Sequence, residues 1–318
     1  MIRHLISLLF LCLLISSCES KGDRFEAFKA TETVLGSIPG HNVRCVYFAD
    51  ELFGVVVISG DTVLRTMNGC KSFEVSLAKP GEEFKVMKFA NDSVGFLSGR
   101  RNQLYKTVDR GKSWREVPVE IEQKLITAIF CLNQDTLFIS ASDTLKSLGG
   151  FIAKSVDGGR KWVITPTIAL KNLFFFDVNT GFACGDDGVL KTIDGGATWM
   201  EVSKQGASEI LLFSHDSGYS ISDRSLFLTT DGGITWGLNK TVLNRQWVVG
   251  EDNSRLECLR SIGEDEILFT LNSRLIKVTD FGKRWFQYDF TKPYNRLETL
   301  APGKGIIYGY EHINIVNF

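Results

Sequence analysis

An octapeptide of the form Ser/Thr-x-Asp-x-Gly-x-Ser/Thr-Trp recurs along this chain, and a chain that repeats one turn so regularly has few folds open to it. Thr192-Ile193-Asp194-Gly195-Gly196-Ala197-Thr198-Trp199 carries the pattern in full, as do residues 229–236 and 107–114. Residues 155–162 keep all but the second hydroxyl. Two weaker copies flank these: Asn68, Cys70 and Phe73 replace the Asp, Gly and Trp of residues 66–73, and residues 278–285 keep Asp280, Gly282 and Trp285. The Asp/Asn positions are separated by 41, 48, 37, 37 and 49 residues. A period of roughly 40 to 50 with strand-rich units is the signature of propeller blades.

The unit itself reads as four short strands. In the fourth copy these are Asn172-Leu173-Phe174-Phe175-Phe176, Thr180-Gly181-Phe182-Ala183-Cys184, Val189-Leu190-Lys191-Thr192 and Thr198-Trp199-Met200-Glu201-Val202, separated by Asp/Asn/Gly turns. The box joins the third strand to the fourth. A short carboxylate there can accept the turn's own N–H groups, and glycine permits the positive φ of the turn. The hydroxyls satisfy neighbouring backbone groups, and the tryptophan wedges against adjoining strands. None of these needs requires a ligand. Asn68, Asp109, Asp157, Asp194, Asp231 and Asp280, with Trp114, Trp162, Trp199, Trp236 and Trp285, are therefore expected to be structural.

Six boxed units and a seventh without a box (residues 297–316) predict an all-β, seven-bladed β-propeller of four-stranded antiparallel blades. The stretch 25–35 is expected to supply the missing outer strand of the last blade, closing the circle and removing two exposed edges. Six blades with both ends as caps is the alternative. Eleven per cent aromatic residues, 30 glycines and six prolines suit a sheet protein rich in tight turns.

Ahead of the repeats, Leu5 to Ile15 is an apolar run too short to span a bilayer as a helix, but suited to a signal peptide. Ile15-Ser16-Ser17-Cys18 resembles a bacterial lipobox, which implies cleavage before Cys18 and its acylation. The expected organisation is a signal peptide over 1–17, lipidated Cys18 with a polar tether over 18–24, and one propeller over 25–318. The protein is then exported and lipid-anchored to a bacterial membrane, either the outer membrane facing the periplasm or the cell surface. The lipid is its only membrane contact, and the propeller is expected to be a monomer.

The 36 basic and 37 acidic side chains leave no basic excess, which argues against a nucleic-acid binder. After Cys18 five cysteines remain (Cys45, Cys70, Cys131, Cys184, Cys258), an odd number with no Cys-x-x-Cys pair. They read as buried free thiols.

The boxes resemble the Asp boxes of BNR-repeat propellers, which include sialidases, sortilin-type receptors and some glycanases. The phrase from Gly95 to Trp114 is most similar to a repeat of the photosystem II stability/assembly factor family, and Gly181 to Trp199 is similar. The resemblance covers nearly all of residues 25–318 and implies a propeller that binds a partner during assembly or stabilisation of a complex.

In such a fold the loops between second and third strands share one face with the links between blades, and the box turns occupy the other. Asp61, Arg100, Arg101, Asn102, Asp143, Lys146, Asp186, Asp187, Asp223, Arg224, Asn272, Arg274, Glu311 and His312 then lie together. Function usually sits on loops held by a rigid scaffold. Arg100, Arg101, Asn102, Asp186, Asp187, Arg224, Arg274 and His312 form the candidate binding face. Its arginines suit carboxylates of a protein or glycan partner. Trp247, in the long link between blades five and six, is a candidate partner anchor.

The competing reading is a glycoside hydrolase of sialidase-like or glucanase-like type, needing two carboxylates at a defined separation. The sialidase Arg-Ile-Pro motif is missing; Ser37-Ile38-Pro39 lacks the arginine. His41, His215 and His312 are widely spaced, with no zinc pattern, nucleophile elbow or phosphate loop. No metal, cofactor or catalytic residue is expected, and the non-catalytic reading is preferred.

Overall fold

A computed structural model describes residues 25–100, 103–119, 124–142, 149–222, 225–241, 256–271, 273–292 and 294–318. Within them lie seven sheets, built almost entirely of consecutive antiparallel strands. Blade four shows the plan: Asn172–Phe175 is innermost, followed outward by Gly181–Gly185, Gly188–Thr192 and Met200–Ser203. The inner strands, from Val43–Phe48 in blade one to Arg296–Ala301 in blade seven, each touch the next, and the last touches the first. The circle is closed, and the chain is a seven-bladed propeller.

Burial explains the strand grammar. Second strands such as Gly54–Ile58, Gly181–Gly185 and Ile267–Leu271 are buried throughout, because neighbouring blades cover both faces. That is why they read as unbroken apolar runs. Gly181 opens its strand because Phe175 lies across it; a Cβ there would come within 2.5 Å of that ring.

The closing strand differs from the sequence reading in its bounds. Thr31–Ser37, not 25–35, pairs antiparallel with His312–Asn317 to complete blade seven. Residues Glu26–Ala27 instead add a short parallel fifth strand to blade six, beside Arg284–Asp289. The third and fourth strands of blade seven thus come from opposite parts of the chain. No turn joins them, so blade seven has no place for a box. Glu32 fastens the join: its carboxylate accepts hydrogen bonds from Thr291 N (2.9 Å), Thr291 Oγ1 (2.8 Å), Tyr288 Oη (3.2 Å) and Asn314 Nδ2 (3.3 Å).

Candidate functional site

The box turns come first, because their geometry decides which face is left for binding. In the fourth, Thr192 Oγ1 donates to Asp194 Oδ1 (2.8 Å) and accepts the Gly196 N–H (2.8 Å). Asp194 also accepts the Thr198 N–H (2.9 Å) and hydroxyl (2.6 Å). The same bonds recur around Asp109 and Asp231, and Asp157 lacks only the last hydroxyl. Asn68 keeps the arrangement with its amide donating to Ser72 Oγ (2.8 Å). The Thr198 bonds, with that from Thr192, hold the Asp194 carboxyl down at about 2.

The turns also reach across blades, which sequence reasoning treated as local chemistry only. Lys106 Nζ donates to the Gly158 carbonyl of the next blade (2.8 Å), Lys154 to Gly195 (2.6 Å) and Lys191 to Gly232 (2.5 Å). Arg65 makes the equivalent bond to the Arg110 carbonyl at 3.0 Å. Each lysine also lies 5.2–5.5 Å over an aromatic ring of its own blade, Phe96, Phe138 or Phe182. The signal was present: a basic residue stands immediately before the first Ser/Thr of these boxes. In boxes one to five the Asp or Asn side chains and their hydroxyl partners are occupied in holding the fold; in the sixth, Val278 and Arg284 stand where the hydroxyls would be, and Asp280 meets Lys283 at 3.8 Å.

The opposite face carries a cavity of about 640 Å³ at the mouth of the central channel. It is lined by Lys171, Asp186, Ser208, Glu209, Ser222, Cys258 and Arg296, from blades four to seven and their links. Among the described candidate residues, Asp186 is the one that lines it, paired with Lys171 (2.5 Å). Asp187 is exposed beside it. Arg100 pairs with Glu83 (3.6 Å), Arg274 with Asp289 (2.8 Å), and His312 Nε2 meets Lys292 Nζ (3.1 Å). Asp61 and Glu311 instead brace links between blades, accepting the Gly81 N–H (2.8 Å) and the Gly40 N–H (3.3 Å). Arg101, Asn102, Asp143, Lys146, Asp223, Arg224, Trp247 and Asn272 lie outside the described residues, as does Cys18.

Sequence reasoning found the inner strands but missed the charged side chains that they carry. Glu209 opens the blade-five inner strand, and its two oxygens accept the Cys258 and Leu259 N–H groups, both at 2.9 Å. Those groups sit in a β-bulge between Glu257 and Arg260, with Cys258 at φ +61°. A bulge leaves ladder groups unpaired and re-aims side chains; here it turns Arg260 toward Glu298, 2.7 and 3.1 Å away, and Glu209, 3.5 Å away. Lys88 Nζ approaches Glu298 at 3.9 Å. Burial alone would push Glu298 up, but Arg260 and Lys88 outweigh it and hold the carboxyl below its usual range. That is the reverse of what a general acid needs. Burial pushes the Cys258 thiol up to about 11, away from the thiolate form that a nucleophile uses. All five described cysteines are free. Among the described residues no group of three or more His, Cys, Asp or Glu is placed to hold a metal ion.

No protein-family model and no curated protein matches the chain. Solved structures do. One described as YCF48 bound to D1 peptide is 16% identical with a TM-score of 0.69, covering 92% of this chain and 99% of that one. YCF48 from Cyanidioschyzon merolae is 12% identical with a TM-score of 0.66, covering 90% and 98%. The GH74 xyloglucanase from Xanthomonas campestris is 11% identical with a TM-score of 0.65; 90% of this chain matches 53% of that enzyme. The likeness is one of fold.

Proposed function

We propose that this propeller is a non-catalytic, lipid-anchored envelope protein that holds a segment of a partner protein at the channel mouth, on the face away from the box turns. The observation that carries this reading is the cavity of about 640 Å³, with cations (Lys171, Arg296) and anions (Asp186, Glu209) on one wall. A mixed wall suits a polar chain segment with charges of both signs better than a single small anion. A neighbour of similar fold is described as bound to D1 peptide, which supports this reading. Acylation of Cys18, export and the envelope location are part of the proposal and rest on the lipobox resemblance.

A photo-cross-linking amino acid at Ser208, in the cavity wall, is expected to trap one discrete protein in the native envelope. The same group at Ser113, on a box turn, is expected not to trap it. Equal labelling from both positions, or labelling of glycan alone, would overturn the reading. The hydrolase alternative is tested on the same preparation with sialyl and glucan substrates. Turnover that Asp186→Asn or Asp187→Asn abolishes at an unchanged urea midpoint would replace the binding function with an enzymatic one.

A further inference from the structure

The first described residue, Phe25, packs edge-on against Trp285, the last residue of the sixth box turn, with ring centroids 5.7 Å apart. Glu26 then pairs in parallel with Phe286 and takes the Arg284 guanidinium at 3.2 Å. The chain therefore enters the propeller at the rim of blade six, on the box-turn face. Cys18 precedes Phe25 by seven residues, at most about 25 Å of extended chain. A lipid on Cys18 holds this rim, rather than the cavity face, next to the bilayer.

The box turns of blades one to four also carry exposed aliphatic side chains (Met67, Val108, Val156, Ile193), but this rim differs from them at the fourth box position. Boxes one, three, four and five place a glycine with positive φ at the fourth position: Gly69, Gly158, Gly195 and Gly232. Blade six has Phe281 there, at φ +50°, between Asp280 (φ +54°) and Gly282 (φ +83°). A bulky residue in the left-handed region is strained, and such strain points to a use. Arg110, the other non-glycine at this position, folds its guanidinium over Phe53 at 4.3 Å. Phe281 has only Phe213 at 6.0 Å among the described rings and stays 44% exposed. The inter-blade lysine is absent here too. Leu228 stands in its place, and Asn239 Nδ2 reaches the Phe281 carbonyl instead (3.4 Å). Beside that contact, Ile234 and Leu238 are 61% and 59% exposed. Lys283 and Arg284 follow Phe281 with side chains 73% and 56% exposed, Lys283 lying 3.8 Å from Asp280 as Arg284 lies 3.2 Å from Glu26. The acidic pair Glu264–Asp265 lies on the inner hairpin of the same blade, nearer the channel axis.

We propose that the blade-five and blade-six rim of the box-turn face rests on the bilayer, with Phe281, Ile234 and Leu238 entering the headgroup region and Lys283 and Arg284 facing anionic lipid. Aromatic and aliphatic side chains bordered by basic ones are the composition of interfacial contacts, and basic residues gain from an anionic surface. The result is an orientation: the cavity opens away from the membrane. This inference rests on the lipid-anchor reading and adds the face that the anchor presents.

The test uses the full, acylated chain in vesicles of phosphatidylethanolamine and phosphatidylglycerol carrying a nitroxide on a fraction of headgroups. A bimane label is placed at Phe281→Cys, at Leu238→Cys or, on the cavity face, at Asp187→Cys, with the unsubstituted protein as labelling blank. Both rim labels are expected to be quenched roughly threefold more than the label at 187, as for groups at headgroup depth. Comparable quenching at all three positions, in protein that floats with the vesicles, overturns the orientation and leaves the anchor standing. Protein that does not float, like its Cys18→Ser variant, overturns the anchor and this inference with it. If the rim instead docks a protein, the chain floats and the rim labels stay bright, which also overturns it.

Discussion

At the scale of single residues, the box aspartates tie stability to pH in a direction that can be worked out. The hydrogen bonds from Thr198 and Thr192 place the Asp194 carboxyl at about 2, below the ordinary carboxylate value near 3.9. Asp157 and Asp231 are lowered by the same kind of bonds, and in Asp109 those bonds outweigh a burial effect of opposite sign. A carboxylate depressed in the folded state contributes stability that is complete above its unfolded value and lost as pH falls through the folded one. Urea midpoints are therefore expected to be level above pH ~5 and to fall between about pH 4 and pH 2. Asn68 shows that an amide accepts the same geometry, with its nitrogen donating to Ser72. Asp194→Asn combined with Asp231→Asn should keep the fold and flatten that acid slope; an unchanged slope means other carboxylates set it. The lysine bridges are the second residue-level device. Lys154→Met keeps the aliphatic stem over Phe138 but leaves the Gly195 carbonyl without its donor. A loss of about 1–2 kcal/mol is expected, since a half-exposed charged donor sits at the low end for such bonds. A urea midpoint equal to that of the parent would show that the bridge contributes nothing.

At the scale of elements, the strand Thr31–Ser37 is the closure on which the circle depends, and Glu32 is its fastening. Glu32→Ala removes the acceptor for groups on Thr291, Tyr288 and Asn314 together. It should cost roughly 2–3 kcal/mol and speed amide exchange in both 31–37 and 312–317, while blades two to four exchange as before. Uniform acceleration over all blades would mean that the propeller opens as one unit, with no weak seam. The existence of a closing strand was legible in the sequence, because a seventh unit with three strands lacks an edge. Its register was not, because Phe25 and Glu26 are claimed by Trp285 and Phe286 of blade six, a tertiary contact that no local pattern announces. The boxes were legible for the opposite reason: each meets most of its own hydrogen-bonding needs within eight residues. Lys106, Lys154 and Lys191 left a visible trace as well, a basic residue at one fixed offset from the box, although its partner in the next blade did not. Glu209 and Arg260 left little trace. Their roles follow from N–H groups freed by the bulge at Cys258 and Leu259, and nothing in the strand's composition marks that bulge.

At the scale of the whole molecule, the charged hub at the channel and the cavity above it share a wall, so a variant that unfolds the hub can be mistaken for one that blocks binding. Arg260 joins Glu209 of blade five to Glu298 of blade seven from its own place in blade six. Each of the three side chains keeps 21–28% exposure, so the hub is only partly desolvated. Arg260→Met takes the shared guanidinium from both carboxylates, leaving Glu298 with only the more distant Lys88 at 3.9 Å. That change is expected to cost about 2–4 kcal/mol, somewhat under the figure for a fully buried pair broken on one side. Adding Glu298→Leu removes one stranded charge and should restore a good part of the loss, since an apolar replacement of a whole pair is often near neutral. Glu209 must stay in both variants, because it holds the Cys258 and Leu259 N–H groups. Lys171→Ala with Asp186→Ala touches a solvent-exposed pair at the cavity rim and should leave the urea midpoint within about 0.5 kcal/mol while reducing cross-linking from Ser208. Partner capture that follows the hub variants' stability, and ignores the Lys171 and Asp186 pair, would place recognition elsewhere on the propeller. Capture lost in the rim variant at full stability, and regained in the Arg260→Met, Glu298→Leu protein as its fold recovers, separates a binding surface from the frame that supports it.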